Sequence, residues 1–274
     1  MIKYSFNLRT KTIIVIAIAI LILICVLLSS FFIPINLPTN FTSINQAPSL
    51  QHLFGTDWMG RDMFLRTIKG LSLSVFVGTF AAIISTIVAI SLGLLSSINK
   101  YTDEFVAIII DFINSIPHIL LIILISIACG GGFYGVILGV GLTHWSSLAR
   151  VLRAEVKQIK TMDFIKLSEN LGKSKYFVAI KHILVLIVPQ IIVGIILMFP
   201  HAIMHEASIS FLGFGLPPHE PAIGIILSES MKYLASGDWW LALFPGLSLL
   251  LLVLLFDLIG DYLNKLLNPS SAQE

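Results

Sequence analysis

Long apolar runs separated by short polar stretches set the plan of this chain. The first run, 12–33, reaches the about 20 residues that a helix needs to cross a bilayer. Five more follow at 71–98, 105–128, 134–148, 183–205 and 239–263. Lys3, Arg9 and Lys11 precede the first run, as in a secretory signal. Its apolar core exceeds the roughly 7–15 residues of such a signal and no clean small-residue cleavage site follows, so it reads as a retained helix. The fourth run is short and carries Gly135, Gly139 and Gly141, a spacing that lets helices approach closely. Between runs one and two, Pro34, Pro38 and Pro48 predict extended chain. Gly55, Asp57, Gly60, Arg61 and Asp62 predict turns with an Arg–Asp pair. The stretch GFGLPPHEPAIG after run five is expected to be turn-rich as well.

Segment 150–182 has a different pattern. Leu152, Val156 and Ile159 are spaced to share one helix face, and Phe164, Ile165, Leu167 and Leu171 form a second apolar stripe. Asp163 suits the start of that second helix and Gly172 its end. Two short amphipathic helices joined at a bend are predicted. A basic amphipathic segment can lie on anionic lipid; the alternative is a docking element for a soluble partner.

Composition agrees with a membrane fold. Of 274 residues, 57% are hydrophobic and 12% charged, with mean hydropathy +0.96, against about 45–50% and about 25% in a soluble domain. The class is an all-α integral membrane protein of six transmembrane helices with no soluble domain. A net charge of +2 gives no footprint for nucleic acid. Cys25 and Cys129 lie inside apolar runs, which argues against a disulfide framework. Six spans place both termini on one side. With that side cytoplasmic, only Arg61, Arg66, Lys69 and Lys232 of the 17 basic residues fall outside, as the positive-inside rule requires. The expected location is the cell membrane, multi-pass, with both termini cytoplasmic. Trp239 and Trp240 open the sixth span at the outer interface.

The chain lacks the GxxxxGK[ST] loop that cradles nucleotide phosphates, and HEAS after Met204 is not a HExxH zinc site. No catalytic or cofactor-binding constellation stands out, so neither an enzyme nor a cofactor is expected. Charges within spans are costly and are functional candidates by default: Asp111, Glu206, and the Asp257, Asp261, Lys265 series, which also reads as a helix-end network. His201 and His205 stand four residues apart on one helix face beside Met204 and Glu206. Imidazole suits nickel, so His201, Met204, His205 and Glu206 are the candidate translocation-pathway residues. Interhelical hydrogen bonding is the alternative for these histidines and for His118 and His144.

The stretch DFIKLSENLGKSKYFVAIKHILVLIVP resembles the cytoplasmic loop of ABC-importer permeases. HLFGTDWMGRDMFLR, EASISFLGFGLPPHEPAIGIILSES and LALFPGLSLLLLVLLFDLIGDYLNKLLNP are similar to segments of the peptide/nickel branch. Lys166, Leu167 and Ser168 stand where that family has E-A-A, whereas Gly172 and Pro189 match. The resemblance implies a type I importer permease fold. Residues 1–70 would form an N-terminal helix and outer segment, and 71–269 the permease domain with its loop at 150–182. It also implies four kinds of partner: a second homologous permease, two cytoplasmic ATPase subunits, an extracytoplasmic binding protein and the lipid bilayer. Asp163, Phe164, Lys166, Leu167, Ser168, Leu171, Gly172 and Tyr176 become candidates for ATPase coupling. The cargo is nickel, free or chelated, or a di- or oligopeptide, with the histidines favouring nickel. A membrane-embedded enzyme or receptor would need ligand residues converging across spans, and a channel would not need the basic loop.

Overall fold

Backbone groups inside a bilayer find no water, so they must be satisfied within helices; every named element in the computed structural model is helical. The structure describes residues 8–34 and 37–267, so Lys3, the side chains of Arg9 and Lys11, and the C-terminal tail lie outside the described residues. The elements are α1 (Leu8–Phe32), α2 (Met63–Ser96), α3 (Lys100–Ser115), α4 (His118–Ala128), α5 (Gly132–Gly141), α6 (Trp145–Lys160), α7 (Asp163–Asn170), α8 (Lys175–Val178), a π turn (Ala179–Ile183), α9 (Leu184–Phe211), α10 (Ile223–Met231) and α11 (Trp240–Leu267). Among the described residues, five helices are long and apolar enough to cross a membrane, and a sixth crossing is available if α3 and α4 count as one bent span.

Four boundaries differ from the expectation. The second span starts at Met63, eight residues earlier, because the Asp62 side chain accepts from Leu65 N at 3.0 Å and caps the helix. Arg66 and Lys69 therefore sit inside α2. They are tolerated because Arg66 is ion-paired and Lys69 Nζ donates to the Ser30 and Ile33 carbonyls at 2.8 and 3.1 Å, at the end of α1. The third span is broken: Pro117 pushes Ile116 into extended backbone (φ −88, ψ 136), and α4 departs from α3 at 97°. The fourth does not stop at Leu148. After a turn at 142–144 it continues as α6, and Gly132–Lys160 reads as one 29-residue span. The first predicted loop helix is thus the end of a span, with Leu152, Val156 and Ile159 all buried on one face. The fifth is longer than expected at both ends, running Lys175–Phe211 through the π turn, Pro189 and Pro200. The turn-rich stretch after it is followed by α10, which was not foreseen.

Central helix α2 packs against α5, α6 and α9. Small residues set the spacing, as the fourth run predicted. A side-chain carbon at Gly139 would come 2.8 Å from the Ile122 carbonyl oxygen, and one at Gly135 would come 2.5 Å from that of Ser126, so α4 and α5 meet backbone to backbone. Large apolar side chains such as Leu21, Leu124 and Leu251 stay exposed, which suits contact with lipid rather than water.

The segment between α1 and α2 is knotted around one carboxylate. Asp57 is 1% exposed. Its Oδ1 accepts from Met59 N at 2.8 Å and Arg61 N at 2.9 Å, and its Oδ2 from Arg61 Nε at 2.7 Å and Arg66 Nη1 at 3.1 Å. Arg66 Nη2 then reaches Glu229 of α10 at 2.5 Å. The predicted Arg–Asp pair is present, and Arg66 extends it into the bundle. Gly55 and Gly60 hold positive φ of 73° and 72°, the left-handed turn geometry that glycine adopts at no steric cost.

Two outcomes follow for thermal unfolding of the purified protein. Arg66→Ala removes one of two guanidinium partners of Asp57 and the partner of Glu229 and should cost about 1–3 kcal/mol, beyond Lys100→Ala at the exposed Lys100–Glu104 pair. Gly139→Ala should cost about 1–3 kcal/mol by overpacking. Gly246→Ala, where the nearest foreign atom is Leu227 Cδ2 at 3.7 Å, should be close to neutral.

Candidate coupling element and pathway residues

One end of the bundle is extended by α6, α7 and α8. α6 ends at Lys160, and Thr161 and Met162 turn the chain into α7. Asp163 occupies the first turn of α7 rather than the cap position, which Met162 holds without a side-chain bond. Its carboxylate lies 3.5 Å from Lys166 Nζ at the exposed surface. Gly172 ends the helix at φ 79°. Gly172 N donates to Glu169 O at 2.9 Å and Lys173 N to Ser168 O at 3.2 Å, closing the C-terminal carbonyls. Ser174 then caps α8, accepting from Phe177 N at 3.2 Å.

The predicted second stripe divides in two. Ile165 is 1% exposed and joins Val156, Ile159, Val178 and Ile183 in a core that continues along α6 to Leu152 and Trp145. Phe164, Leu167 and Leu171 point away, with Leu167 59% and Leu171 71% exposed, and Tyr176 of α8 stands with them at 65%. Ser168 Oγ lies 3.2 Å from His182 Nε2 on the π turn, and the Phe164 ring sits 6.1 Å from the same imidazole. Lys166 faces outward. One buried residue therefore anchors α7 while its apolar side is presented beyond the bundle.

The basic side of α6 is engaged in a way the sequence did not reveal. Asp103 on α3 meets both Arg153 and Lys157, the latter at 3.0 Å, with Arg153 donating through Nε and through Nη2. Arg150 reaches Asp111 at 3.4 Å, and Lys160 Nζ donates to Ser97 O at 2.7 Å. Asp111 is thus a contact between α3 and α6. The only available signal was the recurrence of basic residues every three or four positions along 150–160. Near the end of α11, Lys265 Nζ lies 5.7 Å from the Tyr262 ring centroid.

The four pathway candidates on α9 do not converge. Successive helix positions turn by about 100°, so Met204 and Glu206 face other directions while His201 and His205 stay one turn apart on the same side of α9. His201 borders a cleft of about 310 Å³ with Gln190, Ser147 and Asn264. Met204 borders another of about 330 Å³ with Phe211 and Leu249. Glu206 is fully buried, accepting from Ser210 Oγ at 2.9 Å, with Ser74 of α2 beside it. It braces a helix contact rather than facing an opening. His205 turns to His118 and His144, with ring centroids 5.1 and 4.7 Å away. His118 and His144 join His205 in a three-ring group, because the α3–α4 bend and the 142–144 turn bring them to the same level.

Residues 83–269 match the family described as binding-protein-dependent transport system inner membrane component. Among similar proteins is the dipeptide transport system permease protein DppC of Bacillus subtilis (strain 168), 32% identical over 84% of this chain and 72% of that protein. The oligopeptide transport system permease protein OppC of the same organism is 31% identical over 89% of this chain and 82% of its own length. A putative peptide transport system permease protein of Brucella abortus biovar 1 (strain 9-941) is 32% identical over 91% and 86%. The fold is similar to that of a chain of the MetNI methionine ABC transporter in an inward-facing conformation, with a TM-score of 0.62, 17% identity, and coverage of 75% of this chain and 98% of that one. With its bent and extended helices and exposed α7, the chain belongs to the binding-protein-dependent transport system inner membrane component family: it is a multi-pass inner-membrane permease subunit of an ABC importer that works with ATPase partners and is not itself an enzyme.

Proposed function

We propose that this subunit forms half of a pathway for dipeptides or short oligopeptides, and that α7 is where ATPase closure is received. The observation that carries the coupling assignment is the geometry of α7. A rigid helix is held by Ile165 and displays Phe164, Leu167, Leu171 and Tyr176 to the aqueous side. Four exposed apolar side chains grouped at the end of a membrane bundle suit a protein partner. Asp163, Lys166 and Ser168 flank it as polar rim, and Gly172 fixes where the helix stops. The end carrying α7 is cytoplasmic on this reading, since Lys166, Lys173, Lys175 and Lys181 gather there, and both termini follow to that side.

The second half of the pathway comes from a homologous permease, and two ATPase subunits meet the two coupling helices. An extracytoplasmic binding protein delivers cargo to the opposite end. There the residue 43–61 knot and the 213–222 turns are its docking surface. Residues 71–269 act as the permease domain, with 1–70 supplying α1 and the outer segment. Peptide takes precedence over nickel as cargo. The similar permeases are named for peptides, which supports peptide over nickel.

Replacing Leu167 by Asp, with membrane levels unchanged, should weaken ATPase co-purification at least tenfold, about 1.4 kcal/mol of contact. Lys232→Asp, on the opposite side, should leave it intact; equal recovery from the Leu167 variant would remove α7 as the docking point. In cells, uptake of a labelled dipeptide should be blocked by excess unlabelled dipeptide and spared by Ni²⁺. Competition by Ni²⁺ alone would reverse the cargo assignment.

A further inference from the structure

The peptide reading makes no use of the three histidines gathered where two spans break. His118 opens α4 directly after the Pro117 bend, His144 closes the turn between α5 and α6, and His205 comes from α9. The ring centroids of His118 and His144 are 4.5 Å apart, and one ring nitrogen from each of the three lies within 4.8 Å of the others. His118 Nε2 is 3.4 Å from His144 Nε2. Two imidazole nitrogens on one tetrahedral ion, each bonded at about 2.0–2.1 Å, stand about 3.3 Å apart. This Nε2–Nε2 pair therefore already has the edge length of a coordination tetrahedron.

The chemistry of His144 fits as well. Its Nδ1 lies 3.1 Å from the Val140 carbonyl oxygen, which can only accept, so Nδ1 carries the proton and the Nε2 lone pair is left for a ligand. An outer hydrogen bond of this kind orients metal-binding histidines generally. His144 is also only 8% exposed, which excludes competing water from that side. A His118–His144 hydrogen bond accounts for two rings at this distance, but it gives no reason for the third ring to close on both.

We propose that His118, His144 and His205 form a resident site for a divalent transition-metal ion of the zinc class, bound through three imidazole nitrogens with a fourth position left to water. Three imidazoles with one open position are a common zinc donor set, and imidazole ligands suit this group of metals. The ligands come from α4, the α5–α6 turn and α9. Because α6 leads directly into α7, a bound ion fixes the coupling arm against α9. Occupancy should then slow transport. Metal binding does not depend on the importer reading; the slowing of uptake does.

The test uses the full chain purified with its ATPase subunits through a tag that contains no histidine, stripped by chelator and titrated with Co²⁺. The expected result is one saturable tetrahedral cobalt absorption spectrum per chain that Zn²⁺ displaces. It should be lost in His118→Gln and His144→Gln and kept in His52→Gln and His219→Gln. Zn²⁺ should also raise the unfolding midpoint of the unsubstituted protein, since an ion that binds only the folded state stabilises it; this readout needs no variant to fold. Absence of both signals in the unsubstituted protein, or a spectrum unchanged in the triad variants, would overturn the site and leave a hydrogen-bonded histidine cluster. If both signals appear but Zn²⁺ leaves ATP-driven uptake unchanged in proteoliposomes, the lock fails while the site stands.

Discussion

A helix that leaves the bilayer can transmit movement only if its packed stripe runs unbroken from lipid to water, and α6 carries such a stripe. Trp145, Leu148, Leu152, Val156 and Ile159 lie buried along one side, from the level of the broken spans to the mouth of α7. Leu152 sits so close to α2 that a carbon on Gly93 would meet its Cβ at 3.1 Å. Ile165 carries the stripe across the bend into α7. On the other side of α6, Arg153 and Lys157 hold Asp103, so the arm is clamped from two directions. Partly buried ion pairs of this kind give geometry more than stability, and geometry is what a lever needs.

The middle of the bundle obeys a different constraint. α4 and α5 have 11 and 10 residues, roughly 16 Å each at 1.5 Å per residue, too short for an about 30 Å hydrocarbon layer. Each relies on a neighbour, α3 or α6, to complete a crossing. The breaks expose backbone groups that must be met inside the protein. Backbone-to-backbone packing at Gly135 and Gly139 makes the short hairpin rigid, and the histidines fill the space beside the breaks.

Much of this was legible in the residue pattern. Unbroken apolar length identified the crossings, the four-residue rhythm of Leu152, Val156 and Ile159 identified a packed face, and Gly172 ended α7 where its positive φ requires. Pro117 was visible too, but the apolar run continued across it, and composition is blind to a 97° change of direction. The early start of α2 was hidden because Arg66 and Lys69 look like loop charges until their partners, Asp57 and Glu229 for one and the end of α1 for the other, are in place. The grouping of His118, His144 and His205 depends on three distant segments meeting. No local spacing encodes it; the visible spacing, His201 to His205, lies within a single helix and cannot show the other two. The buried setting of Glu206 was hidden for the same reason, since helix periodicity gives a face without saying what covers it.

Cysteine cross-linking in native membranes tests the central claim most directly, with the exposed Cys25 and Cys129 first replaced by serine. A cysteine at Leu171 should cross-link to an ATPase subunit and change in yield when ATP is added, whereas one at the exposed Tyr134, in the first turn of α5 at the opposite side of the bundle, should not. Cross-linking from Tyr134, or none from Leu171 in an assembled transporter, would contradict the account.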